Sequence, residues 1–327
     1  MEMSPFKLAP VFKDYLWGGE KLKTLFDKPA ESPSVAESWE LAAHPDGDCT
    51  IAGGPYEGMK LSAFFRDFPV AFGKNVAGKK EFPVLIKLID ARESLSVQVH
   101  PDDEYARRVE GGAGKTEMWY VLDREPGAFL YCGFNRGMTA DEMRLRIREN
   151  TITEVLRRVP VDPGDVFFIP SGMVHAIGAG ILLAEIQQNS NTTYRVYDYD
   201  RCGPDGKRRP LHIEKAIEAA LKSPGGTEPP GRGDPVLLRG TVLRRLASCS
   251  YFTVELVELS KGHEFSPDGS SFVSLLCIEG AASLADCRGR LDIARGESVF
   301  IPAVCGGFSL EGRATFLMTT VPAGNLS

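Results

Sequence analysis

Apolar and polar positions alternate along most of the chain in short runs separated by Gly, Pro, Asn and Asp. In the first two thirds these runs are EFPVLIKLID, SLSVQVH, TEMWYVLD, AFLYCGF, DVFFIP and GILLAEIQQ. In the last third they are YFTVELVEL, SFVSLLCIEG, AASLADC, GESVFIP and ATFLMTTV. A period of two in short runs with turn signals between them predicts strands, and their regular succession predicts a β-sandwich or barrel. Helical spacing is confined to a few places. Thr139-x-x-Glu142 and Thr151-x-x-Glu154 are capping-box spellings and predict two short helices, through MRLRIRE and VLRRV, as an insertion near 139–158. HIEKAIEAALK, from His212 to Lys222, carries Ile213, Ile217, Ala220 and Leu221 on one helical face. The Pro/Gly-rich run KSPGGTEPPGRGDPV that follows can extend neither a helix nor a central strand. It predicts a first domain over 1–222, a linker over 223–235 and a second domain over 236–327.

An internal repeat sharpens this division. PGDVFFIPSGMVHAI (Pro163 to Ile177) aligns without a gap on RGESVFIPAVCGGFS (Arg295 to Ser309). Each copy has a turn glycine, an acidic residue and a buried strand ending in Phe-Ile-Pro. Two copies in one chain predict two related barrels. His175 of the first copy meets Gly307 of the second, so an imidazole is present in one barrel and lost from the other.

Composition narrows the class. With 43% apolar and 25% charged residues in 327, the chain is of ordinary globular type, and 34 glycines and 22 prolines suit many tight turns. A net charge of −6 and the absence of basic runs argue against nucleic acid and anionic membranes as partners. No apolar stretch reaches the length of a spanning helix, and the first residues have no hydrophobic signal core. Seven cysteines without a Cys-x-x-Cys pair read as reduced thiols in a cytoplasmic protein and argue against thiolate-bound zinc.

Candidate chemistry then concentrates on two of five histidines. His44, His212 and His263 stand in turn, helix-start and inter-strand contexts. In SLSVQVHPDD, alternation puts Ser96, Gln98 and His100 on one face and Leu95, Val97 and Val99 on the other. In GKTEMWYVL, Lys115, Glu117, Trp119 and Val121 share a face, and His175 follows a Pro-Ser-Gly turn. Gln98, His100, Glu117 and His175 thus form a four-ligand candidate with two nitrogens and two oxygens, suited to zinc or another divalent first-row ion; four separate polar residues are the other reading. GGAGKTE resembles a phosphate-binding loop but lacks the first glycine of that spacing, at Val109, and leads into a strand. Trp17 and Trp39 are expected in the core or on a pocket wall. Glu40 has no assigned role.

Gly164, Pro170, Gly172 and His175 spell the second signature of the cupin barrels, and the chain resembles a bicupin: a mainly β protein of two cupin (jelly-roll) barrels with short helical insertions. SLSVQVHPDD, GKTEMWYVL and EIQQNSNTTYRVYDYDR together resemble the type I mannose-6-phosphate isomerases in their short bacterial form, from Tyr15 to the end. The resemblance implies zinc on Gln98, His100, Glu117 and His175, and with Gly307 standing where His175 stands, one ion per chain is expected, in a catalytic domain followed by a metal-free cupin domain. It implies catalytic roles for Lys115, Arg195 and Glu185, with Lys87 and the pocket-wall Trp17 toward substrate. Two departures stand out. Long-form members read His-Lys-Pro-Glu where this chain reads Gly114-Lys115-Thr116-Glu117, and they carry a tyrosine where Ile177 stands.

The expected reaction is aldose–ketose isomerisation of mannose 6-phosphate and fructose 6-phosphate through an enediol. It needs a base, a cation for the developing charge and a holder for the phosphate. Glu185 is the candidate base, on the expectation that a partly apolar barrel raises its pKa; a lysine or metal-bound water are the other candidates. An iron- or manganese-dependent cupin oxygenase and a non-catalytic sugar-binding bicupin are the alternatives, and the oligomeric state is not legible.

Overall fold

The computed structural model describes residues 3–203, 206–221, 234–238 and 240–323, so the linker expected at 223–235 lies outside the described residues except for its last two positions. All the predicted strands form, and every sheet is antiparallel. A six-stranded sheet runs in the order Val166–Ile169, Glu117–Arg124, Ile181–Gln188, Val84–Ala91, Glu37–Leu41, Val11–Lys13. A five-stranded sheet faces it, in the order Leu156–Pro160, Phe129–Phe134, His175–Ile177, Val97–Val99, Tyr194–Tyr197. Ile89, Trp119, Val121, Leu130, Phe167, Ile177 and Leu183 fill the space between them. Strand alternation therefore works as predicted: one side of each strand feeds this inner layer, and the other side feeds a separate one.

The outer face of the five-stranded sheet, with Val97, Val99 and Ala176, is covered by Met143, Ile147, Ala216 and Ile217 from two helices, Ala140–Arg148 and Ile213–Leu221. Thr139 caps the first, its hydroxyl accepting from the Glu142 N–H at 3.2 Å. The second capping-box spelling misleads. Thr151 makes no side-chain cap, Ile152–Val155 is a single 3-10 turn, and Leu156–Pro160 is a strand paired to Phe129–Phe134. Open pairing sites on a neighbouring strand outweighed a weak local signal.

The outer face of the six-stranded sheet packs on the C-terminal half, where Ile86, Leu88, Met118 and Ile186 share a core with Leu246, Val254, Phe272, Phe300 and Leu317. That half supplies eight strands of a ten-stranded sheet. Its longest strand, Val273–Asp286, merges two runs expected as separate strands, with Gly280 at φ 73° marking the bend between them. Two strands from the start of the chain complete the sheet: Phe6–Ala9 pairs with Ser298–Ile301 on one side and Thr50–Ala52 on the other. Backbone pairing thus crosses the boundary drawn from the sequence. The repeated motif forms the same hairpin twice. Gly164 and Gly296 sit at φ 87° and 86°, and their N–H groups donate to Val121 and Cys277 at 2.7 and 2.8 Å. Among the described residues no helix is long and apolar enough to cross a membrane.

Candidate active site and metal centre

Side chains on the inner face of the six-stranded sheet change character row by row. One row is apolar, with Ile89, Leu183 and Val121 on adjacent strands. The next reads Trp39, Lys87, Glu185, Trp119, each directly opposite the one before it. The third sets Gln187 opposite Glu117. From the facing sheet a row of Cys132, His175, Gln98 and Arg195 lies in register. Polar groups therefore gather at one end of an otherwise apolar interior, and it is strand pairing that gathers them.

At the centre are His100, Glu117 and His175, all buried, whose ligating atoms lie within 4.8 Å of one another. Glu117 Oε2 is 3.5 Å from His100 Nε2, and Oε1 is 3.3 Å from His175 Nε2. Each imidazole is oriented from behind: His100 Nδ1 contacts the Thr192 carbonyl at 3.0 Å, and His175 Nδ1 the Met173 carbonyl at 2.8 Å. Those carbonyls fix the proton on Nδ1 and turn the Nε2 lone pair inward, the usual outer-shell arrangement of a histidine ligand. His175 Nε2 and Glu117 Oε1 make no hydrogen bond although buried, and Glu117 Oε2 meets only the Lys115 ammonium. Orphaned acceptors converging in a dry interior are costly unless a cation binds there, so this donor set fits a divalent metal. Burial pushes His175 down to about 4 and His100 well below its ordinary value, so both are neutral, as ligation requires, at pH 7. Gln98, the cross-strand neighbour of His175 and half-buried, stands beside this group.

A chain of alternating charges runs on from the metal group. The Lys115 ammonium is 2.8 Å from Glu117, 3.3 Å from His100 Nε2 and 3.9 Å from Glu185. Lys87 lies 3.5 Å from Glu185 and 3.4 Å from Glu37, and it faces the Trp39 ring at 5.0 Å. Trp119 Nε1 donates to Glu185 at 2.9 Å. The expectation that burial would raise the Glu185 pKa is overturned. Burial does push upward, but Lys115, Lys87 and the indole N–H outweigh it and hold the carboxyl well below the ordinary range. Glu117 moves the other way, raised by burial.

Arg195 is half-buried and held by its backbone. Its N–H donates to His212 Nδ1 at 3.1 Å, and a guanidinium nitrogen donates to the Pro210 carbonyl at 3.2 Å. Its Nε is buried without a partner. Arg201 and Arg209 grip Asp198 at 2.7 and 2.6 Å nearby, and burial together with these two guanidiniums lowers the Arg195 pKa. Trp17 is buried in the inner core and also lines a cavity of about 240 Å³ with Tyr15, Asp198, Arg201 and Arg209. Glu40, left open by the sequence, belongs elsewhere: it pairs with Lys28 at 2.5 Å, which reaches the Gly296 carbonyl of the C-terminal half.

Sequence reasoning missed Glu37, which also accepts from Trp39 Nε1 at 2.6 Å. Alternation in ESWEL puts the two on one face, and that signal was available. It also passed over His212 as a helix-start residue. A cavity of about 600 Å³ lies in the C-terminal half, lined by Glu255, Phe265, Val273, Phe308 and Met318, and no histidine lines it.

Known proteins similar to this chain belong to one family. Residues 5–126 match the family model described as phosphomannose isomerase type I, catalytic domain, and residues 243–321 the model of the mannose-6-phosphate isomerase cupin domain. The mannose-6-phosphate isomerase ManA of Bacillus subtilis (strain 168) is 38% identical over 320 residues, covering 98% of this chain and 99% of its own. The probable mannose-6-phosphate isomerase GmuF of the same organism is 37% identical over 96% of this chain and 98% of its own. A crystal structure of the Bacillus subtilis mannose 6-phosphate isomerase superposes with a TM-score of 0.91 at 34% identity, over 97% of this chain and 99% of that one. A zinc-bound mannose 6-phosphate isomerase shares the fold, with a TM-score of 0.76 at 20% identity over 98% of this chain and 100% of its own.

Proposed function

The chain belongs to the type I mannose-6-phosphate isomerases, and on that premise we propose that it interconverts mannose 6-phosphate and fructose 6-phosphate by proton transfer through an enediol. Family membership favours an aldose–ketose isomerase over the oxygenase and the non-catalytic bicupin. The observation that carries the mechanism is the buried row of Lys87, Glu185 and Lys115 running directly into the His100–Glu117–His175 group.

Gln98, His100, Glu117 and His175 would hold one zinc, which when bound supplies a Lewis acid for the sugar oxygens. Glu185, kept ionised by two lysines, is in the form that accepts the carbon-bound proton and returns it to the neighbouring carbon. Its carboxylate is fixed by Trp119, so little reorientation accompanies the transfer. Lys115 and Arg195 offset negative charge that develops on the enediolate oxygens. Arg201 and Arg209, with Trp17 as a wall, offer the phosphate a bidentate site in the adjacent cavity.

In this reading residues 1–222 carry the chemistry and 236–327 form a metal-free cupin unit, the two making a pair of jelly rolls. Seven unpaired cysteines and a phosphorylated sugar substrate fit the cytoplasm. The test is a coupled assay of mannose 6-phosphate conversion before and after chelation, run also in deuterated water. Zinc-dependent turnover with deuterium entering C1 of the ketose is expected. Full retention of the substrate hydrogen would overturn the proton-transfer route.

A further inference from the structure

Lys115 is not on a strand. The strand begins at Glu117, and Lys115 ends an irregular segment that includes Gly111, Gly112 and Gly114. A loop rich in glycine is a poor platform for a side chain that must stay within 2.8 Å of Glu117 and 3.9 Å of Glu185. Its backbone is nevertheless tied at four successive residues. The Ala113 carbonyl accepts from Ser190 Oγ at 2.9 Å. The Gly114 N–H donates to Asp103 Oδ1 at 2.8 Å, the Lys115 N–H to the Pro101 carbonyl at 3.0 Å, and the Thr116 N–H to Gln188 Oε1 at 2.8 Å.

Two of these ties converge on one carboxylate. Gln188 Nε2 donates to Asp103 Oδ1 at 2.9 Å, so Asp103 holds Gly114 directly and Thr116 through Gln188. The other Asp103 oxygen accepts from the hydroxyl of Tyr251 at 3.1 Å, a residue of the C-terminal half. Burial and the Asp103 charge push the Tyr251 phenol up to about 12, so it stays a donor at any ordinary pH. Arg107 approaches the same oxygen at 3.9 Å.

This arrangement explains the Gly114-Lys115-Thr116 spelling. A Cβ on Gly114 would lie 2.6 Å from the backbone of Asp102 and Asp103, so only glycine brings its N–H onto the Asp103 carboxylate. A proline at 116 would have no N–H to give Gln188. Gly114 and Thr116 are thus both suited to the Asp103–Gln188 pair.

We infer that Asp103 and Tyr251 are positioning residues for Lys115, and that the C-terminal half serves the reaction by bracing the lysine loop through the Tyr251 hydroxyl. The inference rests on the proposed isomerase reading for Lys115's role, but the brace itself can be tested apart from it. Asp103→Ala should lower kcat by about 100-fold, the order expected for a misplaced catalytic group, with KM little changed. Tyr251→Phe, which keeps the ring, should lower it about fivefold. In a Lys115→Met background neither change should lower residual turnover further, because both act through that lysine. A merely structural role would lower turnover equally in both backgrounds and would overturn the inference. Amide hydrogen exchange across residues 112–117 supplies the readout independent of activity. It should speed up in Asp103→Ala and Tyr251→Phe, and unchanged exchange in both would overturn the brace even if the wild type failed to isomerise mannose 6-phosphate. If the wild type is active, exchange speeds up and kcat holds, the brace exists but does not position Lys115, and the inference fails.

Discussion

The two halves of the molecule build the same glycine-turn hairpin and put opposite chemistry on it. Ile169 of the first hairpin opposes Glu117, whereas Ile301 of the second opposes Val273. Two residues along, Trp119 opposes Glu185 and Leu275 opposes Met318; one strand further, Lys87 opposes Glu185 and Glu255 opposes Met318. With Gly307 aligned to His175, the second half has exchanged a carboxylate, an imidazole and the central glutamate for Val, Gly and Met. The backbone pairing survives this exchange because it depends on main-chain groups and on alternation, not on which side chain faces inward. What the second half gained is an apolar interior of Val257, Val273, Leu275, Leu310 and Phe316. Among its described residues no group of three converging histidine, cysteine or carboxylate ligands occurs.

The sharpest test of that contrast is metal content. Removing an imidazole or carboxylate from the first half, as His100→Ala or Glu117→Ala, should abolish firm metal binding and reduce turnover by about 10⁴-fold or more, read by elemental analysis and the coupled assay. One metal per wild-type chain is expected; two would show that the second half still binds one. Next in size, Phe316→Ala in the second half should cost about 3–5 kcal/mol of stability by opening a cavity, measured by denaturant unfolding. Its kcat per folded molecule should stay near wild type, separating a structural half from a chemical one.

Arg195→Ala should leave the fold and bound metal intact and lower kcat by about 100-fold, with KM moving far less. A full kcat with a raised KM would make Arg195 a binding residue only.

The smallest effect concerns pH. His100 and His175 are buried neutral, with folded-state pKa values below the ordinary 6.5. The unfolded chain therefore takes up protons first as pH falls. Metal-stripped protein should lose stability from about pH 6.5 downward, by about 1 kcal/mol per histidine one unit below, until the folded values are passed. A flat Tm between pH 7 and 5 in the chelated protein would show that these imidazoles are not held neutral.

How far the site could be read before the fold was known depends on the range of each interaction. His100 and His175 were legible because a polar residue on an apolar strand face is a local anomaly, and Glu117 because it shares alternation with Trp119. Thr151 shows the reverse: a local cap signal lost to pairing with a strand some twenty residues earlier in the chain. The expected direction of the Glu185 shift failed because burial alone predicts a raised pKa. The two ammonium groups that reverse it sit 98 and 70 positions earlier, and nothing local announces their distance.

Strand periodicity, the repeated hairpin and the residue types able to bind a metal were legible along the chain, since these follow from alternation and turn chemistry within about fifteen residues. It took packing in three dimensions to bring Glu37, Lys87, Glu185 and Lys115 into one charged row and Tyr251 onto Asp103 across 148 positions. Sheet register sets such contacts, and register is settled by the whole set of inner faces packing at once.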